Sequence, residues 1–294
     1  MKNKYVVSVI LAGSLWGFMG FFRRTLDVMG VSAISCIAVR CSFAAVLFGV
    51  VLLVSDRSAF KIHLKDVWIF IGSGIVSLLI FGVCYFKAMD YMSLSAAAIL
   101  LYTAPCFVIL FSALLFKEKL TAQKLIAMVL AFAGCCLVSG IGGGARITPV
   151  GLALGLTAGV CYALYSIFSR FALNRGYSSL TINFYSCLLA AVGATMIGGT
   201  EYLDIITQTA PNFGFAFATG LVTCFMPYLL YTRGLEGLEN GKASIMASVE
   251  PVVATVVGIA IYNEALTPMS AVGIILVLSA IVLLNIRLRK KQYN

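Results

Sequence analysis

The chain has 294 residues, of which 61% are apolar and only 11% are charged, against about 25% charged residues in ordinary soluble domains. With a mean hydropathy of +1.03 it cannot expose enough polar surface to stay in solution, so a soluble protein is excluded. Its formal net charge of +10 needs a separate explanation, because a basic excess is also typical of proteins that bind nucleic acids.

Apolar segments of the length needed to cross a membrane follow one another along the whole chain. A helix requires about 20 apolar residues to cross a hydrocarbon core of roughly 30 Å. The apolar runs are continuous and do not alternate with polar residues, which is not the pattern of a transmembrane β-barrel. We predict ten membrane-spanning helices, at residues 5–22, 33–54, 67–86, 95–116, 124–141, 149–170, 179–199, 213–232, 243–262 and 268–286.

The two halves of the chain are weak copies of one pattern, in register at a shift of 146 residues without a gap. Each half carries five of the predicted spans. Because five is an odd number, the second half enters the membrane from the opposite side. We therefore predict an all-α integral membrane protein whose ten transmembrane helices form two inverted five-helix repeats, residues 1–146 and 147–294. Matched pairs are Trp16 with Tyr162, Pro105 with Pro251, and Glu118 with Glu264.

The basic residues between the spans lie mostly on one side of the predicted membrane. With a cytoplasmic N-terminus, the segments on the cytoplasmic side hold sixteen Lys and Arg residues and those outside hold four. This bias predicts a multi-pass protein of the plasma membrane with both termini in the cytoplasm. It also explains the net charge, so we predict no nucleic acid partner.

Residues that bind metals or cofactors are not grouped in this sequence. The nine cysteines fall inside predicted spans without a C-x-x-C spacing, and the single histidine, His63, lies in a predicted loop. The glycine-rich stretch 234–243 lacks both the leading glycine and the final hydroxyl residue of a Walker A motif. We predict no metal, no cofactor and no catalytic residues, and a gradient in place of ATP as the energy source.

Two charged residues and two prolines stand out inside the predicted spans. Arg40 lies about a third of the way into the second span and Glu250 near the middle of the ninth. Burying either charge in hydrocarbon costs roughly 2.5 to 3.5 kcal/mol. We assign Glu250 to a substrate site and Arg40 to anchoring helices. Pro105 and Pro251 occupy matched positions in the fourth and ninth spans, where paired kinks predict paired gates.

Large aromatic residues accompany these positions. Helical spacing places Tyr102 and Pro105 on one face of the fourth span. In the first and sixth spans, glycines flank Trp16 and lead to Tyr162, which allows close helix approach beside one large ring. We predict that Trp16, Tyr102, Tyr162 and Glu250 line a shared pocket.

Four short motifs follow one another along the chain: Leu15-Trp16-Gly17, Arg40 followed by Phe43-Ala44-Ala45, Lys117-Glu118-Lys119-Leu120-Thr121, and Glu250-Pro251 followed by Asn263-Glu264-Ala265-Leu266-Thr267. In this order they resemble the EamA-type transporters of the drug/metabolite transporter superfamily, and the likeness covers nearly the whole chain. Lys119 and Ala265 depart from the residues that many members carry there, which are small or arginine.

The resemblance implies a central cavity formed by both repeats and the carriage of small metabolites, often as export of amino acids, nucleobases or toxic compounds. We predict an exporter of a small metabolite such as an amino acid, a secondary transporter working by alternating access. Its predicted partners are the small-molecule substrate, membrane lipid and a candidate coupling proton, and it acts as a monomer or homodimer.

Three alternatives remain open. Aromatic faces around the Glu250 carboxylate also suit a quaternary amine such as choline, held by cation–π contacts. A passive channel predicts flux that does not saturate. A membrane-embedded enzyme needs paired acids or a nucleophile with its base, whereas Glu250 is the only carboxylate inside a predicted span.

Overall fold

The computed structural model describes residues 3–140 and 148–286, and within these ranges it contains helices and no strands. Nine helices of this part of the chain are long and apolar enough to cross a membrane, and a tenth apolar helix is shorter. The prediction of an all-α membrane protein is thereby confirmed. The ten helices are α1 (Asn3–Val28), α2 (Ala33–Ser55), α3 (Leu64–Ala88), α4 (Ser95–Phe116), α5 (Ala122–Val138), α6 (Pro149–Asn174), α7 (Ser179–Gly198), α8 (Ala210–Gly237), α9 (Asn240–Tyr262) and α10 (Pro268–Asn285). A short helix, Glu201–Thr207, joins α7 to α8.

Helices α4 and α9 are each broken in the middle, at positions that the 146-residue shift superimposes. The first halves end at Leu101 and Ala247, and the second halves begin at Ala104 and Glu250. In each helix a proline is the second residue of the second half, where its missing N–H leaves no helical bond unmade. A proline ring also clashes with a helical carbonyl four residues earlier, and Leu101 and Ala247 are those residues.

Helix α1 is broken as well, between Trp16 and Met19, whereas its counterpart α6 is continuous from Pro149 to Asn174. The sequence predicts a single first span at residues 5–22, and the matched hydropathy pattern of the halves does not show this break. Helices α3 and α8 both contain a π-helical segment, Gly72–Ile80 and Leu221–Phe225, in the matched region of the two repeats. Such segments are frequent near functional sites in helices.

The segments that follow α4 and α9 have the same local structure. Lys117 and Asn263 close the two helices in the left-handed conformation, with φ of 55° and 53°. Thr121 and Thr267 then cap the next helices, accepting hydrogen bonds from the backbone N–H of Lys124 and Ser270. The repeated sequence at 117–121 and 263–267 therefore encodes the same helix stop and helix start twice.

The helices pack across the two halves in matched pairs: α2 with α7, α5 with α10, α1 with α8, and α3 with α6. Glycines permit the closest approaches. A Cβ on Gly13 of α1 would lie 2.7 Å from the carbonyl oxygen of Ala247, and one on the matched Gly159 of α6 would lie 2.9 Å from that of Leu100. The first helix of each half thus packs its glycine against the broken helix of the other half, α1 against α9 and α6 against α4.

Candidate functional site

A central cavity lies where the breaks of α4 and α9 meet α1 and α6. Four residues that the sequence assigns to a pocket, Trp16, Tyr102, Tyr162 and Glu250, all line this cavity, together with Pro105. Tyr102 lies in the break of α4, and Glu250 is the first residue of the second half of α9. Because both residues sit beside interrupted backbone, the structure positions them by the helix breaks and not by regular helical spacing.

The aromatic rings form one connected wall of the central cavity. The ring of Trp16 lies 6.3 Å from that of Tyr162, 5.3 Å from that of Tyr228 and 5.4 Å from that of Tyr231. Edge-to-face and tilted arrangements of this kind are the favourable ones for aromatic pairs. The wall can therefore offer ring faces and edges to a ligand while its own rings remain packed.

Seven of the eleven polar and aromatic residues that line the central cavity in the described chain were not predicted from the sequence. Tyr165 and Ser166 follow Tyr162 at helical spacing in α6, a signal that was available in the sequence. The hydroxyl groups of Ser166 and Tyr231 lie 2.8 Å apart, and Tyr165 donates a hydrogen bond of 2.5 Å to Asn183. The other lining residues that were missed are Ser77, Tyr228, Tyr231, Ser244 and Ser248.

Glu250 is the acidic residue of the central cavity in the described part of the chain. It takes part in none of the five ion pairs that the described residues form, and the Tyr162 side chain lies beside its carboxylate. Its counterpart in the first half is Ala104, which also lines the cavity. A single carboxylate therefore faces the cavity from one repeat only, and its charge is available to a ligand or a proton.

Arg40 and Pro251 lie outside the central cavity. Arg40 lines a neighbouring cavity with Met19 and Phe81, and Tyr228 borders both spaces. Pro251 lines a third cavity, which shares Tyr102 with the central one and extends to Arg24 and Glu264. Of the three residues that the sequence assigns to gates or structure, only Pro105 therefore borders the central cavity.

The end of the protein at Glu118 is closed by contacts between the halves. The Glu118 carboxylate accepts hydrogen bonds from the backbone N–H groups of Asn240, at 2.7 Å, and Gly241, at 3.4 Å, which begin α9. Lys124 donates to the same carboxylate at 3.2 Å. An anion at a helix N-terminus is favourable because the first N–H groups lack helical partners. Arg170 of α6 donates a further bond to the Asn240 side chain, at 2.9 Å.

The matched residue at the opposite end, Glu264, makes a different contact. Its carboxylate lies 3.1 Å from Arg24, and both side chains are about half exposed, at 51% and 53%. The third cavity leads from this exposed ion pair to Tyr102 at the centre. Repeated sequence segments thus hold a buried seal at one end and a solvated ion pair beside an open cavity at the other.

A second buried carboxylate, Asp66, corrects the expectation that Glu250 is the only carboxylate inside a membrane-spanning helix. The sequence places Asp66 in a loop, but α3 begins at Leu64 and carries it into the packed helix end, where its side chain is 3% exposed. There Asp66 pairs with Arg175 and accepts a hydrogen bond of 2.7 Å from Tyr177. It does not line the central cavity, so it adds no acid beside Glu250.

Known proteins resemble the chain over its full length. The model of the EamA-like transporter family matches twice, at residues 3–140 and 149–286. An uncharacterized transporter of Archaeoglobus fulgidus is 26% identical over 292 residues, covering 97% of each chain. The uncharacterized transporter YwfM of Bacillus subtilis is 23% identical and covers 99% of this chain and 96% of its own length.

A solved crystal structure shares the fold, with a TM-score of 0.79 over 97% of each chain at 16% sequence identity. Together with the two family matches, this likeness covers both halves of the protein. The chain therefore belongs to the EamA-like transporter family, and it is a multi-pass membrane transporter.

Proposed function

We propose that this chain is a secondary transporter that exports a small metabolite such as an amino acid across the plasma membrane by alternating access. The observation that carries the proposal is the difference between its two ends. Glu118 seals one end against the start of α9, while the matched Glu264 leaves a cavity open from the surface to Tyr102. With the predicted topology, this arrangement faces outward.

Inverted repeats supply the second state of such a cycle, because each half can adopt the conformation of the other. In that state Glu264 leaves Arg24 and binds the backbone N–H groups at the start of the first half of α4. Glu118 correspondingly releases the start of α9. The breaks before Pro105 and Pro251 allow the two half-helices to tilt without disrupting their remaining hydrogen bonds.

The lining of the central cavity supports a small organic substrate. Trp16, Tyr162 and the tyrosines of α8 supply ring surfaces, serines supply hydroxyl groups, and Glu250 supplies one negative charge. In this proposal Glu250 either meets a cationic group of the substrate or carries the coupling proton. The second candidate is a carrier of a quaternary amine such as choline, which the rings around one carboxylate favour.

Transport by purified protein in proteoliposomes tests the proposal. Compounds are first selected by the rise in unfolding temperature of the detergent-purified protein, since a ligand at 100 times its dissociation constant adds about 2.7 kcal/mol of stability. We expect saturable uptake of a selected amino acid that responds to an imposed pH gradient. Flux that rises linearly with concentration indicates a channel, and uptake of choline in preference to every amino acid supports the second candidate.

The predicted topology is tested by thiols at opposite ends of the protein. Ser58 lies between α2 and α3, and Gln208 lies between α7 and α8; both are exposed. An impermeant thiol reagent should label Gln208→Cys in intact cells and Ser58→Cys only after permeabilisation. The unaltered chain, whose nine cysteines are all within its described residues and fully or partly buried, provides the background signal. The opposite labelling pattern would reverse every assignment of a gate to a side of the membrane.

A further inference from the structure

The guanidinium of Arg40 is incompletely satisfied within the membrane part of α2. One terminal nitrogen donates to the sulfur of Met19 at 3.2 Å and the other to the carbonyl oxygen of Thr223 at 3.1 Å. Its Nε is buried and has no hydrogen-bond partner among the described residues. A guanidinium has five N–H donors, and a thioether sulfur is a weak acceptor. Arg40 therefore retains donor capacity that its neighbours do not use.

The charge of Arg40 also makes no direct ion pair, and the Glu250 carboxylate acts on it only at longer range. None of the ion pairs formed within residues 3–140 and 148–286 includes it, although Arg23, Arg24, Lys124 and Arg175 all have acidic partners there. A charge inside a membrane helix is costly and normally pairs with another charge or faces a functional pathway. An arginine that only anchored helices would be expected to have its donors and its charge satisfied by those helices.

The cavity beside Arg40 adjoins the central cavity. Tyr228 borders both spaces, and the ring of Phe81, on the Arg40 side, lies 5.2 Å from the ring of Tyr162 on the central side. The other residues around Arg40, including Leu78 and Tyr85, are uncharged in the described lining. A ligand that occupies the central cavity thus needs only to extend past Tyr228 to reach the unused donors of Arg40.

We propose that Arg40 is the carboxylate-binding residue of the substrate site, with the rest of the bound amino acid lying in the central cavity. The proposal rests on the proposed transport function and narrows the substrate to compounds that carry a carboxylate. Nε and one terminal nitrogen present parallel N–H groups that match the two oxygens of a carboxylate. A single guanidinium in an otherwise uncharged cavity suits one carboxylate better than a doubly charged phosphate.

The test compares ligands that differ only in the carboxylate. The twenty common amino acids are screened against the detergent-purified full chain, and the tightest binder is paired with the amine formed by removing its carboxylate. Arg40→Gln should weaken amino acid binding by roughly 10- to 100-fold, the range for a lost hydrogen bond to a charged group. Its affinity for the amine should stay within about two-fold of the unaltered protein, because the amine makes no contact that this substitution removes. Arg40→Lys, which keeps the charge, should bind the amino acid with intermediate affinity.

Arg170→Gln is the matched control, since Arg170 donates to the Leu238 carbonyl and to Asn240 and does not line either cavity in the described structure. It should change the affinities for the amino acid and the amine by the same factor. Unfolding temperatures without ligand show whether each variant is folded. Equal weakening of both ligands by Arg40→Gln and Arg40→Lys would overturn the proposal, as would a screen in which no amino acid binds. Failure of the transport function itself appears separately, as an absence of saturable flux for every compound in proteoliposomes.

Discussion

Replacing Glu250 with glutamine should abolish accumulation driven by a pH gradient while leaving substrate exchange across proteoliposomes intact. Glutamine keeps the size and most hydrogen bonding of the side chain but cannot bind and release a proton. Glu250 faces the central cavity without an ion-pair partner among the described residues, so a proton can reach it from whichever side the cavity opens. We measure substrate uptake with and without the gradient. In the variant, uptake with the gradient should fall to the level measured without it.

Glu201→Gln is the control for this measurement. Glu201 is an exposed acid at the start of the short helix between α7 and α8, and its removal should leave accumulation unchanged. Weakened binding of the substrate by Glu250→Gln would instead assign Glu250 to a cationic group of the ligand. A variant equal to the unaltered protein in binding, exchange and response to pH would show that Glu250 has a purely structural role.

The second large effect is expected for Glu118→Gln, which should loosen the seal at the end predicted to face the cytoplasm. The substitution weakens the charge-assisted bonds to the start of α9 and removes a partner of Lys124, whose side chain is only 2% exposed. Hydrogen bonds to a charged group contribute about 1.5 to 3 kcal/mol, so the population open at this end should rise roughly 10- to 100-fold. A thiol at Ser244, on the first half of α9 and in the cavity lining, reports the opening.

The measurement is the rate at which an impermeant reagent labels Ser244→Cys in inside-out membrane vesicles, with and without Glu118→Gln. Glu264→Gln is the matched control at the other end of the molecule. Removing the half-exposed Glu264–Arg24 pair costs only about 0.2 to 1 kcal/mol in the present state. In the proposed inward-facing state Glu264 binds the start of α4, so Glu264→Gln should lower this rate, the opposite of the effect of Glu118→Gln. Labelling rates that are equal with and without the substitution at Glu118 would contradict a gate at this position.

Glu118 and Glu264 show that repeated sequence segments can make different contacts. The segments at 117–121 and 263–267 predict the same helix stop and start, and both form it, with Lys117 and Asn263 in the left-handed conformation. The contacts of Glu118 and Glu264 differ because they depend on which half-helix lies beside them in the assembled protein. A repeated sequence encodes the same local structure twice, but it does not determine which of two alternative packings each copy adopts.

The candidate site was predictable where a large or charged residue stands out inside an apolar span. Trp16, Tyr102, Tyr162 and Glu250 were identified from large or charged residues at matched positions inside apolar spans, and they line one cavity. The tyrosines of α8 were missed because an aromatic residue in an apolar helix faces lipid, core or cavity with the same local pattern. Only the packing of α8 against α1 brings their rings to Trp16.

By itself the sequence determined the class of protein, the ten apolar helices, the repeat and the position of the helix-breaking prolines, because hydropathy, length and proline geometry act locally along the chain. The tertiary structure alone decided which charged groups have partners. Asp66 and Lys124 lie at the edges of predicted spans yet are buried and paired, whereas Arg40 and Glu250 form no direct ion pair within the described chain. The physical reason is that the groups that compensate a charge can be distant from it in sequence. Such groups come together only when the two halves pack against each other.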